Sequence, residues 1–158
     1  ILGEIMKKLG YLLLILFVIS GCSKQGKIVI DECTFSMEQG SSLIDATYLF
    51  ESNETTKNMM KQESTVIFTV GTIDEVENLT KTFERFKKEY TDAGIDYSYS
   101  IDGLKMTEKM TIDYDVVAIA DLVKLNIIEQ MKDEIPTVID VDSSIERLVN
   151  QGFTCIKK

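Results

Sequence analysis

Apolar and polar residues alternate along three stretches of the chain between residues 33 and 70. Apolar side chains recur at every second position, and most of the residues between them are polar. Because successive side chains of a strand point to opposite faces, this pattern predicts strands with one buried face. Turn-forming residues separate the stretches, which predicts an antiparallel β-meander. The alternating sets are Cys33, Phe35 and Met37; Ile44, Ala46, Tyr48 and Phe50; and Val66, Phe68 and Val70.

A long amphipathic helix is predicted after the third strand. Apolar residues recur at three- and four-residue steps from Val76 to Tyr90 and therefore share one face of a helix, while the opposite face is charged. Thr72 and Glu75 have the spacing of a capping box at the start of this helix, and Gly94 is suited to end it.

Residues 95–114 predict a β-hairpin. Asp102-Gly103 is a strong two-residue turn signal, and apolar residues alternate on both sides of it. With this turn, Ile101 would oppose Leu104 and Tyr99 would oppose Met106. One face of the hairpin is then apolar, and the other carries Asp96, Ser98, Ser100, Lys105, Thr107, Lys109 and Thr111.

The last third of the chain predicts two more helices and a short strand. Residues 116–131 are largely apolar and typical of a helix, with a break near Asn126. Ser143 and Glu146 form a second capping-box pattern, and Gly152 closes that helix before a strand at 153–156. Together these elements predict an α+β domain. Its antiparallel sheet has about five or six strands, including the β-meander and the 95–114 hairpin, and is packed on one face by two or three helices.

The segment that ends at Cys22 has the pattern of a bacterial lipoprotein signal peptide. Lys7 and Lys8 form a basic start, residues 9–19 are an apolar run of 11, and ISGC at 19–22 fits a lipobox. Because a membrane-spanning helix needs about 20 apolar residues, this run is too short for a transmembrane anchor. We therefore expect the Cys22 thiol to receive a diacylglyceryl group, followed by cleavage between Gly21 and Cys22. The mature protein would then be anchored in membrane lipid through acylated Cys22, with palmitate-type chains.

These signals divide the chain into a signal peptide at 1–21, a lipidated tether at 22–27 and a single α+β domain at 28–158. Residues 1–5 add an acid where a basic start is expected, so we expect Met6 to be the true start. The five residues before Ile28 reach at most about 18 Å. The domain is thus expected close to the outer face of the cell membrane, or at the outer membrane in a Gram-negative host.

The chain resembles the YehR-like bacterial lipoproteins, a family of small exported domains of unknown function. Five features carry the resemblance across essentially the whole mature region: the lipobox ending at Cys22, the threonine-rich strand before Thr72, the helix to Tyr90, the segment MTIDY at 110–114, and Gly152-Phe153. The resemblance implies an α+β domain with an antiparallel sheet packed by helices. It implies no catalytic or ligand-binding residue.

Cys33 and Cys155 lie near the two ends of the domain. Outside the cytoplasm they could form a disulfide. The alternative is two buried thiols that act as small hydrophobic residues. The sequence favours the thiols, because nothing in it shows that the two strands are neighbours, and the YehR-like pattern does not include this pair.

Composition excludes several classes of function. The chain has 17 lysines and arginines against 26 aspartates and glutamates, so nucleic acid is an improbable partner. It has no histidine, which excludes Ser–His and Cys–His nucleophilic sites within the chain. The acidic segment 140–146 lacks the glycine and spacing of a calcium loop, and helix capping explains Asp142, Ser143 and Glu146 instead. We expect no catalytic residue, metal or cofactor.

The favoured function is noncatalytic binding of an envelope protein or a small ligand near the membrane. Met59 and Met60 are adjacent in a predicted strand, so their side chains should point to opposite faces and one should lie outside the main core. They are the candidate partner surface, although a second core layer under the helices is the commoner arrangement for such residues.

Two rival functions are a carboxylate-dependent envelope hydrolase and a structural accessory subunit of a membrane complex. A deep pocket with converging acids would favour the hydrolase. An exposed apolar groove containing Met59 or Met60 would favour partner binding, and a flat polar surface would favour the accessory role.

Overall fold

The protein forms a six-stranded antiparallel sheet with helices packed on one face. The structure, a computed structural model, describes residues 26–128 and 136–158. The strand order is β4-β5-β3-β2-β1-β6, and each neighbouring pair is antiparallel. The α+β prediction is therefore confirmed. The elements are β1 (Ile28–Gln39), β2 (Ser42–Asn53), β3 (Met59–Thr69), α1 (Ile73–Asp92), β4 (Asp96–Asp102), β5 (Lys105–Asp113), α2 (Ile119–Lys124), α3 (Val141–Asn150) and β6 (Thr154–Lys157).

The sheet has a covered face, which packs against the helices, and an open face. The buried strand residues of the described chain all lie on the covered face. On the open face, threonines from four neighbouring strands stand side by side, and such cross-strand pairs stabilise a sheet. These threonines are Thr154, Thr34, Thr47 and Thr65. The one-sided burial explains why apolar alternation was so regular in the sequence.

Helix α1 begins and ends as the sequence predicts. The Thr72 hydroxyl accepts a hydrogen bond from the Glu75 backbone N–H, and the Glu75 carboxylate accepts one from the Thr72 N–H. At the other end Gly94 adopts a φ of 82°, and the Ile95 N–H donates to the Tyr90 carbonyl at 2.9 Å. This is a Schellman closure, in which a left-handed residue lets the chain turn back over the last helical turn.

The apolar face of α1 packs over the β4–β5 side of the sheet. Phe83 is buried, and its ring lies 5.6 Å from the ring of Phe68 and 5.5 Å from that of Tyr99. Val76 and Met106 are buried in the same cluster. The predicted helical face thus forms one part of the core.

The β4–β5 hairpin turns one residue later than the sequence predicts. Its two turn residues are Gly103 and Leu104 rather than Asp102 and Gly103. Gly103 adopts a φ of 59° at the first turn position, where glycine is favoured in a type II′ turn. The cross-strand partner of each β4 residue therefore lies two residues further along β5 than predicted. Because the shift is even, the same side chains still share a face. The pairs are Ile101 with Met106 and Tyr99 with Glu108, not Ile101 with Leu104 and Tyr99 with Met106.

Helix α2 is much shorter than the predicted helix over 116–131. It covers six residues, Ile119–Lys124. A turn precedes it, in which the N–H groups of Val116 and Val117 donate to the Asp113 carbonyl. Asn126 has a φ of 57° and ends α2, which confirms the predicted break. Residues 129–135, with the predicted end at Met131, lie outside the described residues.

The apolar surplus of this segment is explained by a core cluster rather than by a long helix. Leu122 and Val117 are buried against Ile95 and Ile112, and Ile127 packs against the same group. Because both a turn and a short helix contribute apolar side chains, the pattern resembled one continuous helix.

Helix α3 begins earlier than the Ser143–Glu146 capping box would allow, and that box is not formed. The N-cap is Asp140, whose carboxylate accepts a hydrogen bond from the Ser143 N–H at 2.7 Å. This contact lowers the pKa of Asp140. Val141 is the first residue of the helix and is buried in the core, and this packing favours the earlier start.

Candidate functional site

Cys33 and Cys155 are joined by a disulfide. They are direct partners on β1 and β6, so the last strand of the domain lies beside the first. The sequence left this arrangement open and favoured two thiols, because no local pattern reveals which strand β6 joins. The bond closes a loop with a sequence separation of 122 residues.

The predicted lipid site falls outside the described residues. Gly21 and Cys22 precede residue 26, so cleavage and lipidation stay predictions. Within residues 26–128 and 136–158, no three Cys, Asp or Glu side chains are grouped as metal ligands would be. In the same part of the chain, no helix has the length and hydropathy needed to cross a bilayer.

A groove of about 280 Å³ lies where β3 begins. Its polar lining includes Asn53, Asn58 and Asp115. The volume is near the lower end of the range for small-molecule sites, about 300–1,000 Å³. It therefore suits a small ligand or an inserted apolar group. The apolar lining consists of Met59, Met60, Tyr114, Ile119, Val138 and Ile139.

A register shift between β2 and β3 brings both candidate methionines to this groove. Lys61 faces Glu51, but Met59 faces Ser52, which leaves Met60 without a Cα partner on β2. Such a bulge interrupts the alternation of faces. Both methionines therefore line the groove: Met59 is buried in the core, whereas Met60 is half-buried and lies outside the buried core.

Backbone hydrogen bonds hold the segment before α3 against the start of β3, and this segment forms the wall of the groove that faces the two methionines. The Met59 N–H donates to the Ile139 carbonyl at 2.8 Å, and the Val141 N–H donates to the Lys57 carbonyl at 2.9 Å. The segment before α3 therefore runs beside the start of β3, beyond the end of β5. The Tyr114 N–H donates to the Met60 carbonyl at 3.0 Å, which places Tyr114, another lining residue of the groove, beside β3.

The predicted tether joins the domain at residues 26 and 27, at the same end of the sheet as the groove. We call this end of the sheet the tether end. The Glu54 N–H donates to the Lys27 carbonyl at 2.9 Å. Gly26 packs so closely on the Asn53 side chain that a Cβ at Gly26 would overlap Asn53 Oδ1. Asn53 also lines the groove. Gly26 and the groove are thus neighbours.

A second polar cluster lies on the covered face, and the sequence reasoning missed it. Glu108 is half-buried on β5, and the Tyr97 hydroxyl donates to its carboxylate at 2.7 Å. Burial raises the pKa of Glu108, and the hydrogen bond from Tyr97 partly opposes this. Burial, followed by the charge of Glu108, also raises the pKa values of Tyr48 and Tyr90. One sequence signal could have revealed this cluster: Glu108 is the single acid at an apolar position of the alternating series from Leu104 to Tyr114.

We expect Glu108→Gln to stabilise the fold at pH 7. The folded-state pKa is raised above the ordinary 4.5, so protonated Glu108 favours folding below that value. This contribution is lost as pH rises through the folded-state pKa, and glutamine avoids the loss. The thermal midpoint of Glu108→Gln should therefore exceed that of the wild type at pH 7, and the difference should shrink towards pH 4.

The matched control is Glu84→Gln, because Glu84 also accepts a hydrogen bond from a tyrosine, Tyr99, but is exposed on α1. Because Glu84 is exposed, Glu84→Gln should change the thermal midpoint at pH 7 much less than Glu108→Gln. A lower midpoint for Glu108→Gln than for the wild type at pH 7 would show that the charged form is the one the fold favours.

Comparison with known proteins supports the fold. No family model matches the sequence, and no curated protein matches it. The NMR structure of E. coli YehR is similar, with 20% identity, a TM-score of 0.58 and coverage of 79% of this chain and 89% of that chain. An NMR structure from Streptococcus pneumoniae TIGR4 is similar at 11% identity and a TM-score of 0.52, covering 87% of this chain and 90% of that one. The chain therefore has a YehR-like fold.

Proposed function

We propose that this protein is a lipid-anchored bacterial lipoprotein whose domain binds an envelope protein or a small ligand without catalysis. The observation that carries the proposal is the groove at the tether end, which both Met59 and Met60 line. Methionine side chains adapt to varied apolar partners, and this groove lies beside the entry of the predicted tether. The YehR-like fold is compatible with this role.

The hydrolase alternative has weaker support. A carboxylate hydrolase needs two acids that face one substrate. The groove has one acid, Asp115, among its lining residues. Glu108 has the raised pKa expected of a general acid, but its hydrogen-bond partner is Tyr97, and it does not line the groove.

The anchor is tested with Cys22→Ala in the full-length protein, expressed in bacteria that process lipoproteins. We expect the wild type in the membrane fraction, carrying acyl chains detectable by mass spectrometry, and Cys22→Ala almost entirely outside it. Two acyl chains give stable anchoring, whereas none leaves only weak contacts. Gln25→Ala, three residues away, is the control and should stay in the membrane. Cys22→Ala that remains membrane-bound would contradict the proposed anchor.

The groove is tested with Met60→Glu, which places a charge on the apolar wall. Cross-linking and co-purification from membranes should recover at least about tenfold less bound protein or ligand than with the wild type, since a charge that must be desolvated opposes binding. Met37→Glu is the matched control, because Met37 is an exposed strand methionine near the opposite end of the sheet. Equal recovery from both variants would place binding elsewhere and favour the accessory role.

A further inference from the structure

Three exposed apolar side chains lie at the tether end. Ile28 pairs with Asn53 beside the entry of the chain, Val138 lines the groove, and Val116 follows the groove residue Asp115. Each of the three apolar side chains is more than half exposed. Exposed apolar residues are ordinary, and others lie elsewhere on the described surface, so what distinguishes these three is their place beside the point where the predicted tether joins the domain.

The length of the tether restricts what this surface can contact. Cys22 is four residues before Gly26, so their Cα atoms are at most about 14 Å apart. The opposite end of the sheet lies the length of β1 away, about 40 Å for its 12 residues. Four residues cannot span that distance. A lipid on Cys22 would therefore hold the tether end, rather than the opposite end, next to the bilayer.

We propose that the tether end rests on the phospholipid bilayer, with Ile28, Val116 and Val138 in its interfacial region. This proposal rests on the lipid anchor proposed above. Three small apolar side chains would bind a bilayer weakly by themselves. A short tether, however, holds a domain at an effective concentration in the millimolar range, so weak contacts suffice to orient it. The contact is apolar and should persist at high salt.

The absence of tryptophan from the sequence makes a direct test available, because a single introduced tryptophan is the only one that reports. Val138→Trp places it at the tether end. Ile73→Trp is the matched control, since Val138 and Ile73 are 51% and 58% exposed. Ile73 lies near the opposite end, where Gly71 packs against Ser41 of the β1–β2 turn.

Each full-length lipidated variant is purified, checked by mass for its acyl chains, and reconstituted into phosphatidylcholine vesicles with or without brominated acyl chains. Bromine quenches tryptophan only at short range. We expect brominated lipid to reduce Val138→Trp emission at least about twofold, as for a side chain at the headgroup–acyl boundary, and to leave Ile73→Trp nearly unchanged. Val116→Trp is a second reporter, should Val138→Trp fail to fold, and is expected to behave like Val138→Trp.

The outcomes separate this inference from the proposed function. Quenching confined to the tether end supports the inference. Equal quenching at both ends, or none at either end of an anchored protein, overturns the orientation while leaving the anchor intact. A mature protein without acyl chains overturns the anchor and this inference together.

Discussion

Reduction of the Cys33–Cys155 disulfide should lower the free energy of unfolding by about 4 to 5 kcal/mol. The sequence separation of 122 residues makes the enclosed loop nearly as long as the domain, so the bond removes much conformational freedom from the unfolded chain. Urea unfolding with and without reductant measures the difference. Because whole domains are stable by about 5–15 kcal/mol, this loss is a large share of the total.

The control for reduction is the double variant Cys33→Ala and Cys155→Ala. Like the reduced wild type, it lacks the bridge, and its stability should not respond to reductant. Cys33 is fully buried, so Cys33→Ala also removes a packed sulfur atom, and the double variant should be the less stable of the two. Equal urea midpoints for the oxidised and reduced wild type would show that the bridge does not restrain the unfolded chain.

Phe83→Ala should cost about 3 to 5 kcal/mol of stability. The Phe83 ring is 2% exposed and contacts the rings of Phe68 on β3 and Tyr99 on β4. Its removal leaves a cavity between α1 and the sheet that these strand residues cannot fill. Urea unfolding monitored by circular dichroism gives the free-energy difference.

Phe86→Ala on the same helix is the comparison for Phe83→Ala. Phe86 is half-buried and stacks on Tyr90 with ring centroids 5.3 Å apart, so water can occupy part of the space that its ring leaves. We expect Phe86→Ala to lower the free energy of unfolding clearly less than Phe83→Ala does. A cost as large as that of Phe83→Ala would mean that α1 is held mainly by its outer edge.

Local patterns were sufficient to predict α1 and the β-meander. The capping box at Thr72 and Glu75, the repeat from Val76 to Tyr90 and the stop at Gly94 all act within a few residues of one another. The strands alternate because one face of the sheet packs against helices and the other does not. Such features depend little on distant parts of the chain, so a single sequence reveals them.

Contacts between distant residues decided what the sequence could not show. The pairing of β6 with β1 places Cys155 beside Cys33, and nothing near either cysteine specifies that neighbour. Similarly, the shift that brings Met59 and Met60 to one groove depends on the register between β2 and β3. Alternation alone assigns adjacent strand residues to opposite faces, so it could not predict that both methionines border one groove.

At two positions, packing between distant parts of the chain decided against what the local sequence pattern indicates. Ser143 and Glu146 have capping-box spacing, yet burial of Val141 starts α3 earlier, with Asp140 as its cap. Glu108 occupies an apolar position of β5 because Tyr97 can donate a hydrogen bond to it. In both cases the spatial neighbours of a residue, rather than its sequence neighbours, determine its role.

The bridge between the first and last strands also determines how the domain would carry mechanical tension. A pull between a membrane anchor and the residues after Cys155 would pass from Cys33 directly to Cys155 through the disulfide. The chain between them would bear none of that load, so only the short stretches outside the bridge could be drawn out. The oxidised domain would act as a nearly inextensible link, whereas the reduced one could be unravelled along its whole length.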